Sequence, residues 1–367
     1  MSNLDEHPAE GVCGGEGAEG PVVELLEARE VVLGRTTKVR RLLPNKDRRM
    51  VGAWCFVDHY GPDDLTARVD SYDVPGERGM LVPPHPHTSL QTVSWLFEGE
   101  IEHRDSVGSH AMVRPGELNI MTAGNGIAHS EVSLPDGPPT LHGAQLWVAL
   151  PDSQRTTVPP HFNAYADLPE LTLDGAHGTV MIGTVAGITS PAPAYTPLVG
   201  ADLQLEGATT LPLTPAFEYA VLVVAGSLTV SDPTPADPPP ADPTAADLTA
   251  ADLTASDPTV GDRTTAGLTA GFGEMVYLGA GRDDIELTGD ARFLLLGGEP
   301  FEEQLVMWWN FIGRSHEEIV AARNDWMASI EAQGTDRFPT VPGYDGDALP
   351  APRLPATRLK PRPRSRR

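Results

Sequence analysis

Apolar residues in this chain come in short runs rather than in helical stripes. Between Val22 and about Pro151 the runs are Val51–Val57, Thr92–Phe97, Glu117–Met121 and Ala144–Ala149, separated by Gly, Pro and Asp. Runs of about four to eight residues, rich in β-branched and aromatic side chains and spaced by turn residues, predict an antiparallel sandwich or barrel. The second half repeats the texture more weakly, at Gly178–Thr184, Tyr219–Val224, Glu274–Leu278 and Ala291–Leu296. Two β domains in tandem, residues 22–151 and 152–332, are the economical reading. Ser315-His-Glu-Glu318 is a capping-box pattern and predicts a short C-terminal helix with Ile319, Val320, Trp326, Met327 and Ile330 on one face.

Three segments break the pattern. Residues 1–21 are polar and Gly-rich and are expected to form a disordered leader, because they cannot bury enough surface to offset the entropy of ordering. Within an insertion at 231–270, Asp recurs every fifth residue from Asp232 to Asp262. A stacked pentapeptide coil needs regular apolar positions, and several copies carry Pro instead, so an acidic insertion between two strands is the favoured reading. Residues 333–367 form a Pro-rich tail that ends in Arg353, Arg358, Lys360, Arg362, Arg364, Arg366 and Arg367 with no acid among them. A solvated basic tail is expected, with docking to an acidic partner as the other reading.

Composition narrows the choice. A length of 367 residues accommodates two domains plus irregular sequence, and 37 Gly with 36 Pro argue against an all-α fold. The charge of −25, from 26 basic and 51 acidic residues, repels phosphate backbones and anionic lipid, so neither nucleic acid nor membrane is an expected partner. Two cysteines, Cys13 and Cys55, cannot build a disulfide framework. No signal-peptide pattern is visible, and the longest apolar stretch, Tyr219–Ala225, is too short to span a bilayer; a cytoplasmic location is expected.

Candidate chemistry is concentrated in one region. His85-Pro-His87 and His129-Ser-Glu131 are each an i, i+2 pair of ligand types, flanked by Gly and Pro turns. On a strand such residues project from one face about 7 Å apart, so the two pairs can converge on one cation. The other reading has these histidines satisfied by backbone carbonyls in a barrel mouth. Gln145 and Trp147 share one strand face, which looks either into the lumen or outward. Asp58, His59 and Tyr60, before Gly61-Pro62, are expected in a turn-like segment, either closing over the barrel mouth or, as the favoured reading, a structural turn whose Asp caps backbone donors. His103 and His110 are expected at the surface.

These residues resemble the pirin family of the cupin superfamily. The likeness is carried by His85-Pro-His87 with Gln91, by Glu98-Gly99 through Ser106, by Pro115-Gly116-Glu and by Met121 through Glu131. Phe56-Val-Asp-His-Tyr-Gly-Pro62 and Leu141 through Val148 fit the same picture. The resemblance is strong over about 24–151, loose over about 152–330, and absent in the leader, the Asp repeat and the basic tail. It implies an all-β protein of two tandem cupin (jelly-roll-type) β-barrels with a short C-terminal helix. Only the N-terminal barrel would hold a metal, through His85, His87, His129 and Glu131. His161, His177 and His316 form no i, i+2 pair, in keeping with a metal-free second barrel.

The resemblance implies one transition metal, iron(II) first, with Mn, Co, Ni, Cu or Zn compatible with the same ligands. Two open positions would admit a small aromatic chelating substrate and O2, with Glu131 as general base. The implied activity is that of a quercetin 2,3-dioxygenase. The alternative implied is a redox-sensing iron protein that regulates a transcription factor or metabolic enzyme by direct binding. Gln91, Gln145 and Trp147 are the pocket candidates; Gln91 stands where pirins tend to carry Glu, exchanging a carboxylate near the metal for a neutral amide.

Overall fold

The computed structural model describes residues 22–33, 37–65, 79–233 and 267–365. The leader, Cys13 and the Asp repeat from Asp237 onward lie outside the described residues.

All four predicted runs of the first half are strands of one seven-stranded sheet. Its order is His161–Tyr165, Leu118–Thr122, Leu90–Glu98, Thr140–Ala149, Trp54–Asp64, Thr37–Leu43 and Arg29–Leu33. Facing it is a four-stranded sheet of Leu81–His87, Ile127–Val132, Ile101–Asp105 and His110–Val113. The two sheets form the first barrel. The second is built on an eight-stranded sheet in which Leu198–Pro212, Glu218–Ser231 and Asp284–Gly298 are the long central strands. This is the expected all-β pair of barrels with one C-terminal helix.

Strand alternation explains why several runs read as continuously apolar. Along Tyr219–Val224, Tyr219, Val221 and Val223 fill the second barrel with Phe293 and Leu295. Ala220, Leu222 and Val224 point the other way and join Val57, Val93, Leu146 and Val148 of the first barrel in one cluster. Both faces of these strands are buried, one in its own barrel and one between the barrels. Trp54 Nε1 donates to Val199 O at 3.1 Å and Trp95 Nε1 to Asp202 Oδ2 at 2.8 Å across the same interface.

The expected boundaries at 151 and 332 do not divide the chain in space. Val23–Leu26 pairs with Met275–Leu278 in the second barrel's sheet, and His161–Tyr165 pairs with Leu118–Thr122 in the first. Residues beyond 301 return to the first barrel through a hairpin, Val306–Trp308 with Phe311–Gly313, and the helix His316–Ala332. Trp308, Phe311, Trp326 and Phe338 pack there with Ala128. Each exchange pairs or covers strand groups that would otherwise be open edges, a constraint that reading in chain order does not see. Ser315 is the N-cap, accepting from the Glu318 N–H at 3.2 Å. No helix of the described residues is long and apolar enough to cross a membrane.

The tail is not solvated as expected. Ala351 and Leu359 are buried, Arg362 N donates to Leu305 O at 3.0 Å and Arg49 N to Arg364 O at 2.8 Å. Its basic side chains meet acids of their own chain: Arg358 pairs with Glu317, and Arg364 with Glu218 and Glu302. Glu218 is only 1% exposed and also accepts from Gly52 N and Tyr277 Oη, both at 2.7 Å. One carboxylate therefore ties together the first barrel, the second barrel and the tail. Removing it by Glu218→Ala leaves the Gly52 N–H and the Tyr277 hydroxyl without their acceptor and the half-buried Arg364 without its counter-charge, at a cost of about 1–3 kcal/mol. Calorimetry should show a clear fall in Tm for Glu218→Ala and none for Arg358→Ala, whose pair is exposed.

Candidate metal centre

Register brings the ligand types to one face. Leu81–His87 pairs antiparallel with Ile127–Val132 so that His85 lies opposite His129. On its other edge the same strand sets Asp105 opposite His129 and His103 opposite Glu131. Cross-strand partners share a face, so His85, His87, His103, Asp105, His129 and Glu131 all look into the first barrel. The register shifts by one between His129 and Glu131, where Pro83-Pro84 on the partner strand supplies no N–H to the ladder.

Donor nitrogens of His85, His87 and His129 lie within 4.8 Å of one another, and all three residues are buried. His87 Nε2 and His129 Nε2 are 3.1 Å apart. Glu131 is buried on the same face but is not a member of this compact group.

The hydrogen bonds around the group fix where its protons are. His85 Nδ1 is 2.9 Å from Pro83 O, and His87 Nδ1 is 3.1 Å from Asn310 O. A carbonyl only accepts, so both Nδ1 atoms carry the hydrogen and both Nε2 atoms present lone pairs. Two of the three histidines thus meet backbone carbonyls at Nδ1, and this leaves the opposite end of each ring turned toward the group. His85 Nε2 is buried with no hydrogen-bond partner among the described residues.

A longer row runs from Asp105 Oδ2 to His103 Nε2 at 3.3 Å and from His103 Nδ1 to His129 Nδ1 at 3.4 Å. It continues through the His129–His87 contact to the Asn310 carbonyl. Burial pushes the Asp105 carboxyl up, but hydrogen bonds from His103 and Ser109 carry it below its ordinary value, so it stays ionised. Both ends of the row are therefore acceptors. Three neutral imidazoles offer one N–H each for four contacts, and one contact is left with lone pairs facing each other. A positive charge there resolves the conflict. Burial, reinforced by the neighbouring histidines, drives His87 and His129 well below the ordinary imidazole value. A proton on either of these two rings is thus the poorer choice, and their converging Nε2 atoms suit a divalent cation.

The seven-stranded sheet covers this face with two cross-strand rows. Phe56, Trp147, Thr92, Met121 and Phe162 form one row. Phe56 stacks on Trp147 at 4.1 Å, Trp147 meets the His87 ring at 5.0 Å, and Phe162 stacks on His103 at 4.3 Å. The next row is polar: Arg41 holds Asp58 through two 2.8 Å bonds, and Ser94 Oγ donates to Gln145 Oε1 at 2.8 Å. Tyr60 Oη, Gln145 Nε2 and Trp147 Nε1 are buried donors without partners among the described residues. A Cβ at position 143 would lie 2.6 Å from Tyr60 Oη, so Gly143 makes the room that this ring occupies.

Of the expected pocket residues, Gln145 and Trp147 face the lumen. Gln91 does not. It is one residue from Thr92, on the opposite face of its strand, and donates to Thr122 Oγ1 at 3.0 Å. Asp58, His59 and Tyr60 lie within the strand Trp54–Asp64 rather than in a turn. Asp58 and Tyr60 enter the lumen, while His59 faces away and meets His142, Nε2 to Nε2, at 2.8 Å. His110 is exposed, as expected, but His103 is 3% exposed and sits beside His129. Its signal was present, because His103-Arg-Asp105 is a third i, i+2 pair. Asn310 contributes a backbone carbonyl, which no sequence pattern announces.

Comparison with known proteins agrees with this architecture. The Pirin family matches residues 36–148, and the Pirin C-terminal cupin domain matches residues 258–330. A Pseudomonas aeruginosa protein provisionally named quercetin 2,3-dioxygenase is 40% identical over 338 residues, 91% of each chain. A pirin-like protein of Caulobacter vibrioides is 33% identical, over 83% of this chain and 92% of its own. A crystal structure described as quercetin 2,3-dioxygenase from Acinetobacter baumannii superposes with a TM-score of 0.73 at 36% identity, covering 91% of this chain and 96% of that one. The chain belongs to the pirin family of cupin proteins.

Proposed function

We propose that this protein is a mononuclear metal enzyme of the quercetin 2,3-dioxygenase type, opening a flavonol-like chelating substrate with O2. In this reading His85, His87, His129 and Glu131 hold one Fe(II). The observation that carries it is the row of three imidazoles closed at both ends by acceptors, which has one positive charge too few. Three neutral imidazoles and one carboxylate form a nitrogen and oxygen set that suits iron(II) with open positions. When bound, such a cation supplies Lewis acidity and a redox centre for substrate and O2.

The chain's own residues then divide the work. Glu131, buried on the ligand face, takes the proton of the incoming hydroxyl. Burial, and after it the Glu131 charge, raise the Tyr60 phenol well above its ordinary value, so Tyr60 remains a donor. Together with Gln145 Nε2 and Trp147 Nε1 it offers unpaired N–H and O–H groups to an occupant rich in acceptor oxygens. The stacked Phe56 and Trp147 rings give a flat aromatic ligand an apolar wall. Names of relatives at 40% and 36% identity support the same activity.

Three outcomes test this reading. Protein purified without added metal should carry about one transition-metal ion per chain by elemental analysis, and His87→Ala should lose it. Iron-loaded protein should consume O2 with quercetin, about one molecule for each ring opened; binding without turnover contradicts the enzymatic reading. Burial pushes His85 down to about 3, far under the usual value, and His87 and His129 are lowered in the same sense. The ligands are therefore already neutral at mildly acidic pH, and metal affinity should stay flat from about pH 8 to about pH 5. A steep loss near pH 6.5 would show solvent-exposed imidazoles instead.

A further inference from the structure

The three histidines are not held alike. His85 and His87 each donate Nδ1–H to a backbone carbonyl, which leaves no alternative tautomer. His129 Nδ1 faces another imidazole, which can donate or accept. With Nε2–H, His129 would donate to the His87 Nε2 lone pair 3.1 Å away and close the group upon itself. With Nδ1–H it turns a lone pair inward, as the other two do.

We propose that His103 and Asp105 form a positioning pair that fixes His129 in the Nδ1–H tautomer and so keeps the centre open to a cation. Asp105 Oδ1 accepts the backbone N–H groups of Val107 at 3.0 Å and Ser109 at 2.9 Å, which leaves Oδ2 turned to His103. An ionised carboxylate only accepts, so His103 carries its hydrogen on Nε2. Its Nδ1 is then a lone pair, and the one hydrogen that satisfies it is that of His129 Nδ1. Phe162, stacked on His103 with 19° between the rings, holds the imidazole in the plane this requires. Strand register places the three residues together, with Asp105 directly opposite His129. A carboxylate acting through a second ring on a ligand is an extended form of the carboxylate–histidine–metal arrangement.

The inference rests on the metal reading but is tested apart from it. Asp105→Asn keeps the shape and an oxygen for Val107 and Ser109, but turns an amide N–H2 toward His103 Nε2. The hydrogens of His103 and His129 then reverse, so that His129 becomes Nε2–H, while His87 keeps its Nδ1–H on the Asn310 carbonyl. In the metal-free protein, 15N–1H correlation of the imidazoles should read His129 as Nδ1–H in the native chain and Nε2–H in Asp105→Asn. Chelator competition with Co(II) alone should show an affinity loss of about 10–100-fold. His103→Asn added to Asp105→Asn should recover most of that loss, since an Asn oxygen in place of Nδ1 accepts directly from His129. His103→Phe leaves the Asp105 turn and the Phe162 stack in place and should lose affinity alone. A native chain that reads His129 as Nε2–H, or variants that bind Co(II) as the native chain does, overturns the proposal. A native chain that takes up no metal while reading Nδ1–H defeats the metal reading and leaves the positioning pair standing.

Discussion

The structure depends on an arithmetic of protons inside the first barrel. Asp105 and the Asn310 carbonyl close a row of three imidazoles, both ends accept, and no arrangement of neutral rings satisfies every contact. Surface histidines settle such a conflict with water or a proton. At the His87–His129 contact both rings are buried, and burial makes their protonation costly. A buried polar row with one contact unmet is expensive to maintain, and a cation bound at the His87–His129 contact would offset that cost.

Maintaining that row takes most of the chain. The four-stranded sheet sets the ligand face, and the seven-stranded sheet covers it with Trp147 and Phe162. The carbonyl that orients His87 comes from Asn310, on a hairpin that returns to the first barrel after the second has been built. The helix and the tail hold that hairpin through Trp308, Phe311, Trp326 and Phe338. The second barrel thus serves the site without touching it: it buries the outer face of the covering sheet, and through Glu218 it anchors the tail.

The features legible in the sequence are the strictly local ones. Apolar runs mark the central strands, Ser315 marks the helix start, and the spacing of His85-Pro-His87 and His129-Ser-Glu131 puts both pairs on one buried face of the four-stranded sheet. What escaped was set by partners distant in sequence. A basic Pro-rich tail looks solvated until its acids, Glu218 and Glu317, are found on other elements. Asp58 looks like a turn cap because Gly61-Pro62 follows, yet Arg41 pairs with it from the neighbouring strand. Gln91 departs from expectation for a different reason. Its neighbourhood matches the family pattern, but parity along its strand puts it one residue out of phase with the lumen.

Anomalous diffraction from crystals of the metal-loaded protein, collected at the absorption edge of the bound element, tests the central claim most directly. One strong peak is expected at the point where the Nε2 atoms of His85, His87 and His129 converge. Metal-replete crystals with no peak there, or with their peak at another set of side chains, would contradict it.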